Sequence, residues 1–408
     1  MNEYRERNEG AVLRVASLFS GIGGFELGFR DAGMTPALFC DVDPDAKAVI
    51  TAAWPEVPFC DDIRELRSLP QVEVVTAGFP CQDLSQAGRK TGISGGRSGL
   101  VDHLFRLLET ASPDLKWVVV ENVPYMLGLD KGFAMRSLIE RFEALGYRWA
   151  YRVVDSRAFG IPQRRPRVLL VASRVGFPAH VLDGEANEVP IDEKPAVIDD
   201  EAAYGFYWTE GNRGLGWVKH GVPPIKGGSG LGIPSPPAVW MVPTGELGKP
   251  TITDAERLQG FPAGWTEPVM SRSGTRVGAR WKLVGNAVNV ATARWLGRRL
   301  SRPLSAVDDA RLGHFDAGKR WPNAAMGERG SRAKLNLSPW PERREPVAIR
   351  DFLSEPLVPL SHKAALGFLN RALTTPKLVY SDAFLDFLRA YCGLEASYDP
   401  PIRLKIAS

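Results

Sequence analysis

At 408 residues, with 44% hydrophobic and 24% charged positions, the chain has the composition of a soluble globular protein and room for one large domain plus a smaller one. The net charge of +4 permits a polyanionic partner without requiring one. Four cysteines (Cys40, Cys60, Cys81, Cys392) lie far apart with no CxxC spacing, which argues against a zinc site or a disulfide framework, so no metal is expected. The opening MNEYRERNEG lacks a signal peptide's apolar stretch, and no run reaches membrane-spanning length. A cytoplasmic protein with reduced thiols is expected.

Between residues 14 and 173 short apolar runs alternate with helical patterns. Strands are predicted at Val15–Phe19, Ala37–Asp41, Val74–Ala77, Trp117–Glu121, Tyr151–Asp155 and Val168–Ala172. Helices are predicted near 24–32, 44–53, 101–111 and 133–145. This alternation predicts an α/β fold with a mostly parallel sheet covered on both faces. Functional groups in such sheets gather at the carboxyl ends of the strands, where Phe19, Asp41, Gly78 and Glu121 fall. Residues 174–249 break the rhythm with Gly/Pro-rich runs such as GVPPIKGGSGLGIPSPP, predicting a smaller, irregular, partly β lobe. Thr253–Gly260 and Ala287–Leu300 read as helices. Residues 309–350 read as a linker or basic arm, and Ser361–Leu373 and Ser381–Tyr391 as two capped helices.

Four segments carry chemistry. SLFSGIGGFELGF is a strand, a glycine turn and a helix, a form that brings backbone amides close to a nucleotide-like ligand. Asp41, about 20 residues on, is placed to bind ribose hydroxyls, and Asp62-Ile63 to meet an adenine edge. Together these suit an adenosine-containing cofactor without choosing between a dinucleotide and S-adenosylmethionine. In GFPCQDLSQAG, Cys81 sits at a strand-to-loop corner, where a thiol is either a nucleophile or a small buried hydrophobe. The loop behind it holds Gly88, Gly92, Gly95, Gly96 and Gly99 with Arg89, Lys90 and Arg97, which suits a lid over an anionic substrate. WVVVENVPYML places Glu121 at the same sheet edge, where partial desolvation lets a carboxyl keep a proton near neutral pH. IPQRRPRVLLVAS supplies Gln163, Arg164, Arg165 and Arg167, guanidinium forks suited to a base carbonyl or to phosphates.

From about Val15 to Leu300 the chain resembles the cytosine-5 DNA methyltransferases. The matching segments, in the family's order, are FSGIGG, Asp41 within DVDPDA, DDI, GFPCQ, RSGL, ENV, QRRPR, TDAERLQGFP and GNAV. The resemblance implies a Rossmann-like S-adenosylmethionine-dependent domain formed by residues 1–173 and 250–307. It further implies a target-recognition lobe at 174–249, with residues 308–408 as an extension beyond the matched motifs. Cys81 is implied as the nucleophile on cytosine carbon 6, with Pro80 and Gln82 shaping its corner. Glu121, followed by Asn122, is implied to hold ring N3 and the exocyclic amine. Arg165 is implied to contact the base carbonyl, with Gln163 beside it. The implied cofactor positions are Phe19, Ser20, Gly21, Ile22, Gly23, Gly24, Asp41, Val42, Asp62, Ile63, Gly78 and Pro80, then Leu100, Asn286 and Val288. Asp41 stands where many members carry Glu.

The reactive carbon lies inside the duplex stack, so the resemblance implies a flipped cytosine. Expected DNA contacts are Ser85, Arg89 and Arg97 in the loop, Arg164 and Arg167, and Arg213, Lys219, His220, Lys226 and Ser229 in the lobe. Residues 268–302 hold eight basic residues and no acidic ones, so Arg272, Arg276 and Arg280 are expected on phosphates. The lobe itself has six basic and ten acidic residues, unusual for a DNA-facing module. A tRNA-methylating relative would carry a Cys-Phe-Thr element in this region, which is absent. A nicotinamide dehydrogenase would explain the glycine turn but not GFPCQ, ENV or QRRPR. The expected partner is double-stranded DNA, bound by a monomer, in a restriction-modification or phage-defence setting with room for a partner protein, or as a solitary methylase.

Overall fold

The computed structural model describes residues 12–80, 99–184, 186, 198–209, 216–228, 234–272, 278–304, 311–316, 318, 320–345, 347–375 and 380–397. All six expected strands are present. β1 (Arg14–Leu18), α1 (Gly24–Arg30), β2 (Thr35–Cys40), α2 (Pro44–Ala53), β3 (Phe59–Cys60) and β4 (Val74–Ala77) open the chain. Asp43 starts α2 by accepting a hydrogen bond from Asp45 N at 3.0 Å, and Pro44 holds the first helical position. Next come α3 (Leu100–Glu109), β5 (Trp117–Asn122), α4 (Phe133–Ala144), β6 (Arg148–Asp155), β7 (Pro166–Ser173) and α5 (Pro178–Leu182).

The lobe contributes β8 (Ala203–Phe206), β9 (Val218–Lys219), β10 (Ala238–Met241) and β11 (Glu246–Lys249). The chain then returns through α6 (Ile252–Leu258), α7 (Gly278–Asn286) and α8 (Val290–Ser301). The helix expected over Ala287–Leu300 is present as α8, starting three residues later, and α7 before it was not expected. Asn289 starts α8 by accepting from Ala291 N at 3.0 Å and Thr292 N at 3.2 Å, so the chain turns at this residue. The last segment holds β12 (Leu312–Gly313), β13 (Ala324–Glu328), β14 (Ser331–Leu335), α9 (Ile349–Phe352), β15 (Val358–Pro359), α10 (His362–Thr374) and α11 (Asp382–Tyr391).

Among the described residues, ten strands form one sheet in the order β12-β14-β13-β6-β7-β5-β4-β1-β2-β3. β1 to β5 are parallel, while β7, β6, β13, β14 and β12 pair antiparallel. This is the Rossmann-like α/β sheet, with only one half parallel. Side chains alternate across it as a pleated strand requires. Val118 and Val120 of β5 join the core under α3 and α4, and Trp117 and Val119 join the core under α1, α5 and α8.

The stretch read as a linker instead extends the sheet. Ala324–Gly327 of β13 pair with Trp149–Arg152 of β6, and the buried Trp321 packs near Trp149 and Tyr151. The strands were hidden because β14 is short and largely exposed, with Ser331 and Lys334 in solvent and only Leu335 buried. A second sheet, β15-β11-β10-β8-β9, joins the lobe to the chain's last segment. Tyr204, Phe206 and Trp240 on one face pack with Phe368, Phe384 and Leu388 of α10 and α11. The smaller Ala203, Val239 and Met241 on the other face pack against Ala255, Leu258 and Val284 of the return helices. The final helices thus complete the lobe's core.

Candidate active site

Strand register assembles the site. Leu18 pairs with Cys40 on one side and Ala77 on the other, and Ala77 pairs with Val120. The next residues on these four strands are Phe19, Asp41, Gly78 and Glu121, which therefore share one sheet edge. The chain leaves β1 through a left-handed turn: Phe19 has φ 57°, Gly21 53° and Gly23 80°. A bulky residue with positive φ is strained, so the surroundings must fix it. Ser20 N donates to Cys40 O at 3.1 Å, and the Phe19 ring meets Phe79 edge-on at 6.0 Å. Asp41 accepts from Gly21 N and Asp43 N, both at 2.8 Å. Burial pushes the Asp41 carboxyl above the ordinary range, against these two bonds.

The return segment seals the turn from outside. Trp265 Nε1 donates to Ile22 O at 2.9 Å. A Cβ on Gly24 would lie 2.3 Å from Val288 O, so that position admits only glycine. Ile22, Gly23 and Gly24 are buried in this seam. Open space lies elsewhere. A Cβ on Gly21 would meet nothing within 4 Å, one on Gly78 only Phe19 O at 3.7 Å, and Val42 is 74% exposed. An open cradle with a carboxylate, backbone amides and an exposed apolar side chain suits an adenosine-bearing group. Asp62 is ion-paired with Arg64, which holds its carboxyl below the usual range, and Ile63 is buried in the main core. Leu100 is half-buried at the start of α3, and Asn286 is exposed, with its Oδ1 close against Gly227.

Glu121 pairs with Arg167, Nε to Oε1 at 2.9 Å. Burial raises the Glu121 carboxyl, while Arg167 and then Arg165 pull it back. Asn122 Nδ2 donates to Phe79 O at 2.9 Å, tying the end of β5 to the backbone just before Pro80, which is exposed. Cys81, Gln82, Ser85, Arg89 and Arg97 lie outside the described residues, as do Arg213, Ser229 and Arg276.

Two arginines make contacts that the sequence did not suggest. Arg165, expected at the base carbonyl, is 1% exposed and donates to Ile225 O (2.9 Å), Gly285 O (2.9 Å) and Ala287 O (2.8 Å). It fastens the lobe and the return segment to β7. Arg167, expected on phosphate, faces Glu121. The cause is register: Leu169 pairs with Glu121, so Arg167, two residues along the same face, reaches it, whereas Arg165 lies before the start of β7. Gln163 is fully buried, bridging Leu258 O at 2.8 Å and Ile225 N at 3.0 Å. Arg164 is half-buried, and its N–H donates to Val222 O.

The basic run is also engaged within the protein. Arg272 pairs with Asp45, Arg280 with the buried Glu256 (2.9 Å), Lys282 with Asp43 (2.7 Å) and Arg294 with Asp31. In the lobe, Lys219 pairs with Asp199 at 3.1 Å and His220 takes φ 54°. Lys226 Nζ stands 4.0 Å from the centre of the Tyr207 ring, a residue the sequence reading did not single out. No signal in the sequence separates Tyr207 from the lobe's other aromatic residues.

A sequence profile of C-5 cytosine-specific DNA methylases matches residues 13–209. The chain is 50% identical over 384 residues to the Type II methyltransferase M2.BsuMI of Bacillus subtilis (strain 168), covering 92% of this chain and 97% of that one. It belongs to the C-5 cytosine-specific DNA methylase family. This methylase is also 28% identical over 326 residues to the Type II methyltransferase M.NlaX of Neisseria lactamica, covering 74% of this chain and all of that one. A crystal structure of the S. pombe Dnmt2 methyltransferase aligns with a TM-score of 0.48 at 17% identity, covering 71% of this methylase and 97% of that chain. Among the described residues, no helix of the enzyme is long and apolar enough to cross a membrane.

Proposed function

We propose that the enzyme transfers a methyl group from S-adenosylmethionine to carbon 5 of a cytosine flipped out of duplex DNA. The observation that supports the reading is the shared sheet edge, where the Glu121–Arg167 pair and the Asn122–Phe79 bond lie close in sequence to Pro80, the residue before Cys81. Phe19, Gly21, Asp41, Val42 and Gly78 would hold the cofactor, whose sulfonium supplies an electrophilic methyl group when bound. The Cys81 thiolate adds to cytosine carbon 6, and the ring electrons move toward carbon 5. The raised Glu121 carboxyl gives a proton to ring N3, and Arg167 offsets charge at the neighbouring carbonyl. Carbon 5 then takes the methyl group. Loss of the carbon-5 proton to solvent, expulsion of the Cys81 thiolate and return of the N3 proton to Glu121 restore the aromatic ring.

The extensive identity to a Type II methyltransferase supports a role in marking self DNA within a restriction-modification or defence system. Incubation with labelled S-adenosylmethionine and DNA tests the reading. Label is expected on carbon 5 of cytosine and abolished by Cys81→Ala. Label on adenine, or on tRNA alone, overturns it.

A further inference from the structure

The recognition lobe reaches the catalytic edge through a short clamped segment. Ile225 is held at both backbone groups: its N–H donates to Gln163 Oε1 at 3.0 Å, and its carbonyl accepts from Arg165 at 2.9 Å. Tyr207 Oη donates to Pro224 O at 2.9 Å, which fixes the ring beside this clamp. The next residue, Lys226, lays its ammonium over that ring. Both Tyr207 and Lys226 are half-buried. A lysine so placed cannot swing as a surface lysine does, because leaving the ring gives up the cation–π contact.

We infer that Tyr207 and Lys226 form the lobe's wall of the target pocket, with Lys226 contacting a phosphate that flanks the flipped nucleotide and Tyr207 acting as its positioning residue. The inference rests on the proposed base-flipping reading. Its chemistry follows from charge. Glu121 and Arg167 already neutralise each other at the base, so the ammonium carried over Tyr207 suits the phosphodiester next to it. A point charge on a rigid ring fixes where that backbone passes without reading sequence.

The test uses the full-length enzyme, labelled S-adenosylmethionine and plasmid from methylase-free cells. Lys226→Met is expected to raise KM for DNA and to lower the slope of log affinity against log salt by about one, with kcat within a few-fold of wild type. Tyr207→Leu should reproduce that pattern, and Tyr207→Phe, which keeps the ring but loses the bond to Pro224 O, should fall between wild type and Tyr207→Leu. The double variant Tyr207→Leu/Lys226→Met should be no worse than Lys226→Met, because the tyrosine acts through the lysine. Cofactor affinity, measured separately, should be unchanged in all four. An unchanged salt slope in Lys226→Met, or losses that multiply in the double variant, overturns the inference. Failure of the wild-type enzyme to label cytosine in DNA is a different result: it overturns the base-flipping reading and this wall with it.

Discussion

Glu26 sits in the first turn of α1, 2% exposed, directly beneath the glycine turn. Its Oε1 lies 3.4 Å from Thr76 Oγ1, which is 3.1 Å from Ser17 Oγ, while Oε2 has no partner. A helix N-terminus favours an anion by roughly 0.3–1 kcal/mol, less than the cost of burying a half-satisfied carboxylate. Burial wins, and the carboxyl is pushed up from 4.5 to about 7. The folded protein then keeps a proton that the unfolded chain releases between these values. Stability is complete below the lower value and falls as pH rises through the upper one. The loss attributable to this one group is about 2 kcal/mol between pH 5.5 and pH 8. Glu26→Gln keeps the shape and removes the titration. Urea unfolding followed by tryptophan fluorescence should show a falling midpoint for wild type over that range and a flatter one for the variant, which becomes the more stable at pH 8. Parallel profiles for the two proteins would refute the reasoning.

Arg165→Met and Arg167→Met should separate structure from chemistry. The first strands three buried carbonyls and should cost roughly 3–5 kcal/mol in thermal or urea unfolding. The second should keep cofactor binding while single-turnover methylation falls by about 100-fold or more, through loss of the Glu121 partner. Gly24→Ala forces a Cβ onto Val288 O and should destabilise by roughly 1–3 kcal/mol, whereas Gly21→Ala meets no atom and pays only backbone strain of about 1 kcal/mol; paired melting curves compare them. Phe384→Ala empties a site ringed by Phe206, Trp217 and Trp240 and should cost about 3–5 kcal/mol. DNA binding should then be lost at temperatures where calorimetry still detects cofactor binding.

What the sequence made legible was local. The strands around Val74–Ala77 and Trp117–Asn122 are continuous apolar runs because both faces are buried, and the residue after each run marks the sheet edge. Phe19, Asp41, Gly78 and Glu121 followed from this without knowledge of pairing. The roles of Arg165 and Arg167 did not. Both lie in one short arginine-rich segment, and only the register of β7 against β5 decides which faces Glu121. β8 to β11 were hidden for a related reason. Each has four residues or fewer, and their burial depends on Phe368 and Phe384, more than a hundred residues later in the chain.

The basic run between residues 268 and 302 shows why charge pattern alone does not identify a binding surface. Like charges adjacent in sequence repel, so an uninterrupted run needs anions from somewhere, and DNA is one source among several. Here the anions arrive through the fold. Asp31 comes from the end of α1, Asp43 and Asp45 from the cap and first turn of α2, and Glu256 from α6. The three aspartate pairs stitch the return segment to the end of α1 and the start of α2, and Arg280–Glu256 braces the return segment internally. Arg280 illustrates the energetic consequence, because its acid partner is wholly buried and cannot be exchanged cheaply for a phosphate. Lys282, more than half exposed, can be exchanged. Lys282→Ala is therefore expected to lower the salt slope of DNA binding if the run touches phosphate, and Arg280→Ala to lower the unfolding midpoint instead. An Arg280→Ala protein of wild-type stability with weakened DNA binding would return the run to the role its sequence suggests.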